Sequence, residues 1–210
     1  VELGDPCVAL LEEHAEMPVL AIADASVVGN LPSLSSADAD AVRRAVRYLY
    51  DLGHRQIARV GGPESLAHSY IRDSAFADVA SELGMRYRCL HTDYTPETGR
   101  EATKRLLAFS EHPTAIIYDN DVMALAGLGV AASQGIKVPE EISIMSWDDS
   151  LMCTAAYPNL TAMGRDVVDT GKQAAGLLLK LIGGERVGHL MEGPYELRAR
   201  ASTGPAPAAE

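Results

Sequence analysis

Short apolar segments alternate with longer segments of helical periodicity along most of the chain, and this alternation is the feature that most constrains the fold. The apolar segments have the length and composition of buried strands, and they lie at residues 18–25, 56–62, 85–91, 113–118, 142–147, 160–164 and 189–202. The helical segments lie at residues 38–52, 70–83, 96–109, 121–134 and 166–182. Strands that alternate with helices pair in parallel through right-handed crossovers. We therefore expect an α/β fold in which doubly wound parallel sheets carry helices on both faces.

Several predicted helix ends carry recognisable signals. The helix that begins near residue 38 can be capped by Asp38 or Ser36, and Gly53 suits the left-handed conformation that follows its end. At residues 95–97 the order Thr-Pro-Glu is typical of a helix start, with a capping hydroxyl, a proline in the first turn and a carboxylate near the positive helix end. Residues 30–38 are expected to form a polar loop.

Charge and cysteine content limit the function. The chain of 210 residues has 18 basic and 29 acidic side chains and a formal net charge of −11, which opposes binding to phosphate backbones and anionic membranes. No apolar run approaches the roughly 20 residues that cross a bilayer, and no signal peptide is recognisable. Cys7, Cys89 and Cys153 are odd in number, far apart and without metal-ligand spacing, so we expect reduced thiols in a cytoplasmic protein, with one disulfide as an open alternative.

Polar side chains follow the predicted strands at the points where the strands end. Ligands bind beyond the carboxyl ends of strands in open parallel sheets, so these positions are candidate binding residues. They are Asp24, His68, Arg72, Asp93, Tyr94, Asp119, Asn120, Asp121, Asp148 and Asp149. Such a set suits a polyhydroxylated ligand, because carboxylates and amides exchange hydrogen bonds with hydroxyl groups, arginine forms a planar fork, and an aromatic face covers C–H groups.

Some of these residues also have a structural interpretation. Asp121 can cap the helix that follows it, whereas Asn120, between a buried strand and a helix, is better explained by ligand contact. Arg72 would be a cation in the first turn of its helix, where the helix dipole disfavours it; this favours a functional role, with a surface ion pair as the alternative. Tyr94 and Trp147 can pack in the core or stack on a ligand.

The sequence contains none of the common catalytic motifs, such as G-x-S-x-G, H-E-x-x-H, a phosphate-binding G-x-x-x-x-G-K-[ST] or a G-x-G-x-x-G after a strand. Asp148 and Asp149 could suggest a carboxylate pair, but neighbours in an extended segment point to opposite sides and cannot readily act on one bond. No nucleophile and base can be paired. We therefore expect binding without catalysis, with no catalytic residue, no metal and no cofactor.

Four blocks of the sequence together resemble the effector-binding core of the LacI/GalR family of transcriptional repressors. They are YLYDLGHRQIARVGGP, IRDSAFADVASELGM, PTAIIYDNDVMALAGLGVAASQGIKVPEEISIMSWDDS and YPNLTAMGRDVVDTGKQAAGLLLKLIGG. Their order and spacing match the family over about residues 18–204, and LGHRQIA, DNDVMALAG and EISIMSWDDS are specific in combination. Ala75 departs from the family, which usually has a glycine shortly after the arginine.

The resemblance implies a two-lobed fold of the type I periplasmic-binding-protein-like kind, which closes over a small sugar-like or nucleoside-like effector. Residues 1–61 and about 161–187 would form the N-terminal lobe, residues 62–160 and about 188–203 the C-terminal lobe, and residues 204–210 a frayed tail. Matched motif by motif, the ligand contacts would be Asp24, His68, Arg72, Tyr94, Asn120 and Asp148, with Asp121 and Trp147 in support.

The resemblance also implies partners. In the family, a helix-turn-helix domain precedes the core and binds operator DNA, and effector-driven movement of the lobes changes the spacing of two such heads in a homodimer. The DNA-binding head and an initial βαβαβ stretch are absent from this sequence, and residues 1–17 resemble the loop and helix that follow them. We expect a fragment whose first lobe has an unpaired parallel strand edge.

Two other classes of function stay open. A periplasmic-type sugar-binding protein of a transport system would share the fold and would be made as an exported precursor. A sugar-processing enzyme that uses Asp148 or Asp149 is less favoured, because neither carboxylate has an evident catalytic partner.

Overall fold

The computed structural model describes residues 6–14 and 16–208. Seven helices lie in these ranges: α1 Pro6–Glu13, α2 Asp38–Asp51, α3 Ala67–Glu82, α4 Pro96–Leu107, α5 Asp121–Ser133, α6 Leu151–Ala155 and α7 Val167–Ile182. Eight strands lie in the same ranges: β1 Ser33–Ser35, β2 Gln56–Gly61, β3 Arg86–His91, β4 Ala115–Tyr118, β5 Ser143–Trp147, β6 Thr161–Gly164, β7 His189–Met191 and β8 Glu196–Arg198. None of these helices combines the length and the apolarity that a bilayer span requires.

The strands form two sheets of unequal size. The large sheet has the order β3-β2-β4-β5-β6-β8, in which the first five strands are parallel and β8 runs antiparallel to β6. The small sheet consists of β1 and β7 in parallel. In the centre of the large sheet, Ile117 of β4 lies opposite Arg59 of β2 and Met145 of β5. The predominance of parallel pairing confirms the predicted α/β class.

Two hydrophobic cores cover opposite faces of the large sheet. On one face α2 and α3 bury a cluster that includes Phe76 and Trp147. On the other face α4 and α5 bury a cluster that includes Leu106 and Met123. Burying one such large apolar side chain contributes roughly 1.5–3 kcal/mol. Helices on both faces explain why the strands are apolar throughout, and they confirm the doubly wound arrangement.

The predicted helix starts and stops are largely confirmed. Thr95 caps α4, and its hydroxyl accepts a hydrogen bond from the Thr98 N–H at 3.3 Å. Gly53, Gly84 and Gly135 follow α2, α3 and α5 with φ of 94°, 63° and 73°. These left-handed conformations are the ones for which glycine is preferred after a helix. Among the α-helices of the described residues, only the short helix α6 has no counterpart among the predicted elements.

The strand predicted at residues 18–25 is wrong. Among the described residues, this segment pairs only at Ala21, in an isolated parallel bridge with Ser33, and Ala25–Val27 form a 3-10 turn. The strand β1 lies instead within the segment predicted as a polar loop. A strand needs a partner for successive N–H and C=O groups, and segment 18–25 meets β1 only at Ala21, whereas β1 forms its ladder with β7.

The division between the two sheets differs from the predicted lobe boundaries. β2 and β6, both placed in the N-terminal lobe by sequence, belong to the large sheet. β7, placed in the C-terminal lobe, pairs with β1. Hydrophobic pattern alone cannot assign a strand to one of two sheets, because buried parallel strands look alike in both. The chain therefore passes between the sheets three times, at residues 36–37, 165–166 and 192–195.

The frayed tail predicted at residues 204–210 is wrong for its first part. The carbonyl oxygen of Gly204 accepts a hydrogen bond from Nε2 of buried His54 at 3.1 Å. The Ala206 N–H donates to the Leu52 carbonyl at 2.8 Å. Ser202, buried between β5 and β6, exchanges hydrogen bonds with the backbones of both strands. The chain is thus anchored to the large sheet as far as residue 206.

Candidate functional site

A cavity of about 370 Å³ opens at the carboxyl ends of the large sheet, between that sheet and the small one. The six residues predicted to contact a ligand all line it: Asp24, His68, Arg72, Tyr94, Asn120 and Asp148. They are widely separated in sequence. Tyr94, Asn120 and Asp148 follow β3, β4 and β5, and His68 and Arg72 lie in the first two turns of α3, because parallel strands bring their carboxyl ends and the helices that follow to one edge of a sheet; Asp24 reaches the cavity from the side of the small sheet.

The segments that join the two sheets also line the cavity. The first crossover contributes Ser36 and, at the start of α2, Asp38; the second contributes Arg165 and the third Tyr195. The Tyr195 hydroxyl donates to Asp38 Oδ1 at 3.3 Å, and the Arg165 guanidinium carbon lies 5.9 Å from the centre of the Tyr195 ring. A molecule in the cavity would therefore contact the very segments on which any relative movement of the sheets depends.

Arg72 lies in the cavity wall with its side chain largely buried. Its Nε donates to Asp38 Oδ1 at 2.6 Å, and its Nη1 lies 3.5 Å from Asp119 Oδ2. The guanidinium carbon lies 4.5 Å from the centre of the Trp147 ring, within the range of a cation–π contact. Burial opposes the positive charge, but Asp119 and Asp38 outweigh it and raise the pKa of Arg72. Arg72 is thus a permanent positive charge held in place by two carboxylates.

Three expectations about this part of the wall are wrong. α3 begins at Ala67, so Arg72 lies in its second turn and the helix dipole gives no argument about its role. The alternative of a surface ion pair also fails, because Arg72 and Asp38 are both buried. Asp38 does not cap α2, which starts after Ala37 without a side-chain cap. Burial raises the pKa of Asp38, but the hydrogen bonds from Arg72 and Ser36 hold it below its usual value.

Asp119 connects the cavity to a chain of ion pairs behind it. Its carboxylate accepts hydrogen bonds from Nε of buried Arg59 at 2.9 Å and from Nη2 of the same residue. Arg59 also donates to Asp73, whose other oxygen lies 2.8 Å from His91 Nε2. Bidentate arginine–carboxylate pairs have a fixed geometry, so Asp119 is held in one orientation beside Arg72.

The capping role predicted for Asp121 belongs to Asn120. Asn120 Oδ1 accepts from the Met123 N–H at 2.8 Å, and Nδ2 donates to the Tyr94 carbonyl at 3.2 Å. The second N–H of this amide is left for another acceptor in the cavity. Asp121 does not line the cavity; its carboxylate accepts a hydrogen bond from the Ser150 hydroxyl.

Tyr94 and His68 form one coupled part of the wall. The Tyr94 hydroxyl lies 2.7 Å from His68 Nε2, and the two rings stack with centroids 6.2 Å apart. Tyr94 has φ of 68°, which is uncommon for a residue other than glycine. A Cβ at Gly62 would lie 1.9 Å from the Tyr94 ring, so this close approach requires glycine. Burial, followed by the charge of Arg72, lowers the pKa of His68 and favours a neutral imidazole at neutral pH.

Asp148 and Asp149 face different surroundings, as predicted, although the backbone is not the extended one that the prediction assumed, because Asp148 has φ of 65°. Asp148 lines the cavity, and its carboxylate has no hydrogen bond to any described residue. Burial raises the pKa of Asp148, although Arg72 acts in the opposite direction. Asp149 instead accepts from Arg198 Nη1 at 2.5 Å and Arg200 Nη2 at 2.9 Å. Its carboxylate is therefore committed to holding β8 and the segment after it.

Asp24 is a second cavity carboxylate with an unused oxygen. Its Oδ1 accepts from the Ser26 N–H at 2.9 Å and from the Ser26 hydroxyl at 2.6 Å, which fixes the 3-10 turn. Oδ2 has no hydrogen bond to a described residue. The carboxylates are not arranged around a cation, since residues 6–14 and 16–208 contain no group of three or more His, Cys, Asp or Glu that could hold a metal ion.

Among the lining residues outside the predicted ligand set, four carry a charge or an aromatic ring, and they are Asp38, Asp119, Arg165 and Tyr195. A strand-end signal existed for Asp119, which follows β4, and for Arg165, which follows β6. Tyr195 and Asp38 had no such signal, because their position depends on where the chain crosses between the sheets. Trp147, predicted in a supporting role, is buried beneath Arg72 and does not itself line the cavity.

Parallel sheets joined by three crossovers around a polar cavity define a class of domain that binds small molecules between two lobes. A family model described as a periplasmic binding protein-like domain matches residues 46–203 of this chain.

Similarity to known proteins defines the class of this domain more closely. The chain is 32% identical over 205 residues to the HTH-type transcriptional repressor CytR of Escherichia coli strain K12. The match covers 94% of this chain and 60% of that repressor. The crystal structure of a LacI family transcriptional regulator from Bifidobacterium animalis subsp. lactis DSM 10140 superposes with a TM-score of 0.95 at 58% identity, over 98% of this chain and 76% of that one. A complex of the transcriptional regulator CelR with cellobiose gives a TM-score of 0.87 at 26% identity, over 96% of this chain and 63% of that one.

The chain spans about 60% of the length of the curated repressor that it matches. It belongs to the periplasmic binding protein-like family and, within it, to the LacI family of transcriptional regulators.

Proposed function

We propose that this core binds a small hydroxyl-rich effector in the cavity between its two sheets and thereby modulates DNA binding by the full-length regulator. The observation that carries the proposal is the convergence of Asp24, Arg72, Asn120 and Asp148 on one cavity. The structure of CelR with cellobiose supports a sugar-like effector, because that regulator has the same fold.

The cavity offers hydroxyl groups both acceptors and donors. Asp24 and Asp148 have unused carboxylate oxygens, and Arg72 Nη2 has no acceptor among the described residues. Asn120 retains one N–H, and the Tyr94 ring offers a face for C–H groups. This is binding chemistry, and the relatives are transcriptional regulators. We therefore propose that the chain has no catalytic activity of its own.

An effector of this kind would act by favouring one arrangement of the two sheets. Asp24 belongs to the segment beside the small sheet, Asp148 to the end of a large-sheet strand, and Tyr195 to a crossover. A ligand that contacts all three residues binds most tightly when the distances between them match its own size. Its differential affinity for that arrangement sets how far the population shifts.

The DNA contact belongs to another part of the protein. The net charge of −11 makes this chain unsuited to gripping phosphates. We propose a cytoplasmic homodimer that binds operator DNA through an N-terminal helix-turn-helix domain. The repressor relatives favour this role over that of a transport-type sugar-binding protein. The coding sequence upstream separates the two, because it would encode a helix-turn-helix in one case and a signal peptide in the other.

A melting-shift screen against sugars, sugar phosphates and nucleosides tests the binding proposal. We expect at least one compound to raise the Tm of the parent by several degrees at saturating concentration. Asp148→Asn should weaken the binding of that compound about ten-fold or more, because a hydrogen bond to a charged acceptor contributes roughly 1.5–3 kcal/mol. Asparagine is the suitable replacement, since Asp148 has φ of 65° and asparagine tolerates this conformation.

The matched control is Asp78→Asn, which removes the same charge from an exposed position of α3. It should melt and bind like the parent. Equal ligand shifts in Asp148→Asn and the parent would count against the proposed site. In the full-length regulator, the confirmed ligand should change operator affinity by a factor of about 5–150, measured by fluorescence anisotropy.

A further inference from the structure

The cavity wall is acidic, and this limits the chemistry of its ligand. We infer that the site selects an uncharged, hydroxyl-rich molecule over the phosphorylated or carboxylated form of the same molecule, with Asp148 as the residue that sets this selectivity. The inference rests on the proposed binding function and narrows it.

Most positive groups at the cavity are already neutralised by the protein. Arg72 is paired with Asp38 at 2.6 Å and lies 3.5 Å from Asp119. Arg165 donates from Nη1 to Glu192 at 2.6 Å. A phosphate site normally offers arginine forks, lysines or several backbone N–H groups that are not already bound to carboxylates. Here each guanidinium has a carboxylate partner before any ligand arrives, although Arg72 Nη2 and Arg165 Nε keep N–H groups without an acceptor among the described residues.

The carboxylates at the cavity are only partly neutralised. Asp148 has no hydrogen-bond donor among the described residues, and Asp24 uses only one of its oxygens. Both are open to solvent, so a ligand that displaces water from them must supply hydrogen-bond donors, which hydroxyl groups have and which an ionised phosphate or carboxylate group lacks. An anionic group placed near them would also leave their acceptor oxygens unsatisfied.

The summed charge of the cavity lining also disfavours an anionic ligand. The described residues that line the cavity comprise four carboxylates and two guanidinium groups, so the lining has a net charge of −2. Arg59 and Glu192, directly behind it, cancel each other. His68 adds no positive charge while its ring is neutral. If Asp148 is protonated, the lining still has a net charge of −1, and the chain as a whole carries −11.

The test is a set of matched pairs that keep the sugar ring and differ in whether one group is anionic: glucose with glucose 6-phosphate and glucuronate, ribose with ribose 5-phosphate, cellobiose with its 6′-phosphate, and adenosine with adenosine 5′-monophosphate. Melting shifts select the pairs that bind, and calorimetric titration gives both dissociation constants. In any pair that binds, the uncharged member should bind at least about ten-fold more tightly.

Two perturbations show whether charge is the cause. Asp148→Asn should weaken binding of the uncharged member and reduce the ratio of the two dissociation constants by several-fold. Asp78→Asn should leave this ratio unchanged. Raising the ionic strength from about 0.05 M to about 0.5 M should reduce the ratio as well, because salt screens charge repulsion. A ratio that responds neither to salt nor to Asp148→Asn would show steric exclusion and overturn the inference.

The remaining outcomes separate this inference from the function on which it rests. Tighter binding of the anionic member in any pair would overturn the selectivity and leave the proposed binding site standing. No melting shift from any member of any pair would count against both.

Discussion

Arg72 has a structural role as well as the proposed contact with ligand. Its guanidinium is the buried partner of Asp38 and a neighbour of Asp119, which keeps a second partner in Arg59. Sequence reasoning identified Arg72 correctly as unusual, but for a reason that the structure removes. The dipole argument needed a helix start at residue 70, whereas buried charge pairing explains the residue wherever the helix begins.

Replacement of Arg72 by alanine should therefore destabilise the protein even without ligand. Asp38 would remain buried with only the hydroxyls of Ser36 and Tyr195 as partners. We expect the free energy of unfolding to fall by about 3–5 kcal/mol in urea titrations. The control Arg47→Ala removes an exposed pair with Glu82 and should cost at most about 1 kcal/mol. Equal losses in the two variants would show that the buried pairs contribute little.

His54 gives a prediction about pH. Burial lowers the pKa of His54 below 6.5, although the Gly204 carbonyl acts in the opposite direction. The unfolded chain then binds the proton more readily than the folded one, so this contribution to stability is present above about pH 6.5 and is lost as the pH falls below it. His68 is shifted in the same direction. His54→Gln should lower stability at about pH 7.5 and show a shallower decline towards about pH 5.5 than the parent.

The control is His14→Gln, at an exposed position. Its unfolding free energy should follow the pH profile of the parent in chemical denaturation. An unchanged slope in His54→Gln would mean that protonation of the buried imidazole does not contribute to the pH dependence.

At the level of elements, the anchored segment after β8 is the main departure from the sequence-based expectation. Pro and Ala near a chain end suggest fraying, yet Thr203, Gly204 and Ala206 have specific partners on α2 and β5. A deletion of residues 207–210 should leave Tm unchanged. A deletion of residues 203–210 should lower stability by at least about 3 kcal/mol, because it leaves several buried donors and acceptors without partners. Similar melting curves for the two deletions would contradict this anchoring.

Elements with strong local signals were predictable, and those that depend on distant partners were not. The helix α4 carries its own cap and proline, and the strand β4 is apolar throughout, so both appear where the sequence places them. Segment 18–25 has the composition of a strand but pairs only at Ala21. Strand formation there depends on a neighbour, and local sequence does not report whether that neighbour is present.

The same contrast holds for the site. Asn120 and Asp148 were predictable because the ends of β4 and β5 meet at one edge of a parallel sheet. Asp24 was predicted from a strand that does not form, and it reaches the cavity from the side of the small sheet. Asp38 and Tyr195 come from crossovers, whose convergence depends on the relative placement of the two sheets. Local periodicity contains no information about that placement.

At the scale of the whole molecule, the central claim is that one ligand bridges the two sides of the cavity. A crystal structure of the protein with the uncharged sugar or nucleoside that gives the largest melting shift tests it most directly. We predict ligand density in the cavity, with hydroxyl groups within hydrogen-bond distance of both Asp24 and Asp148. Ligand density outside the cavity, or against only one of these two carboxylates, would contradict it.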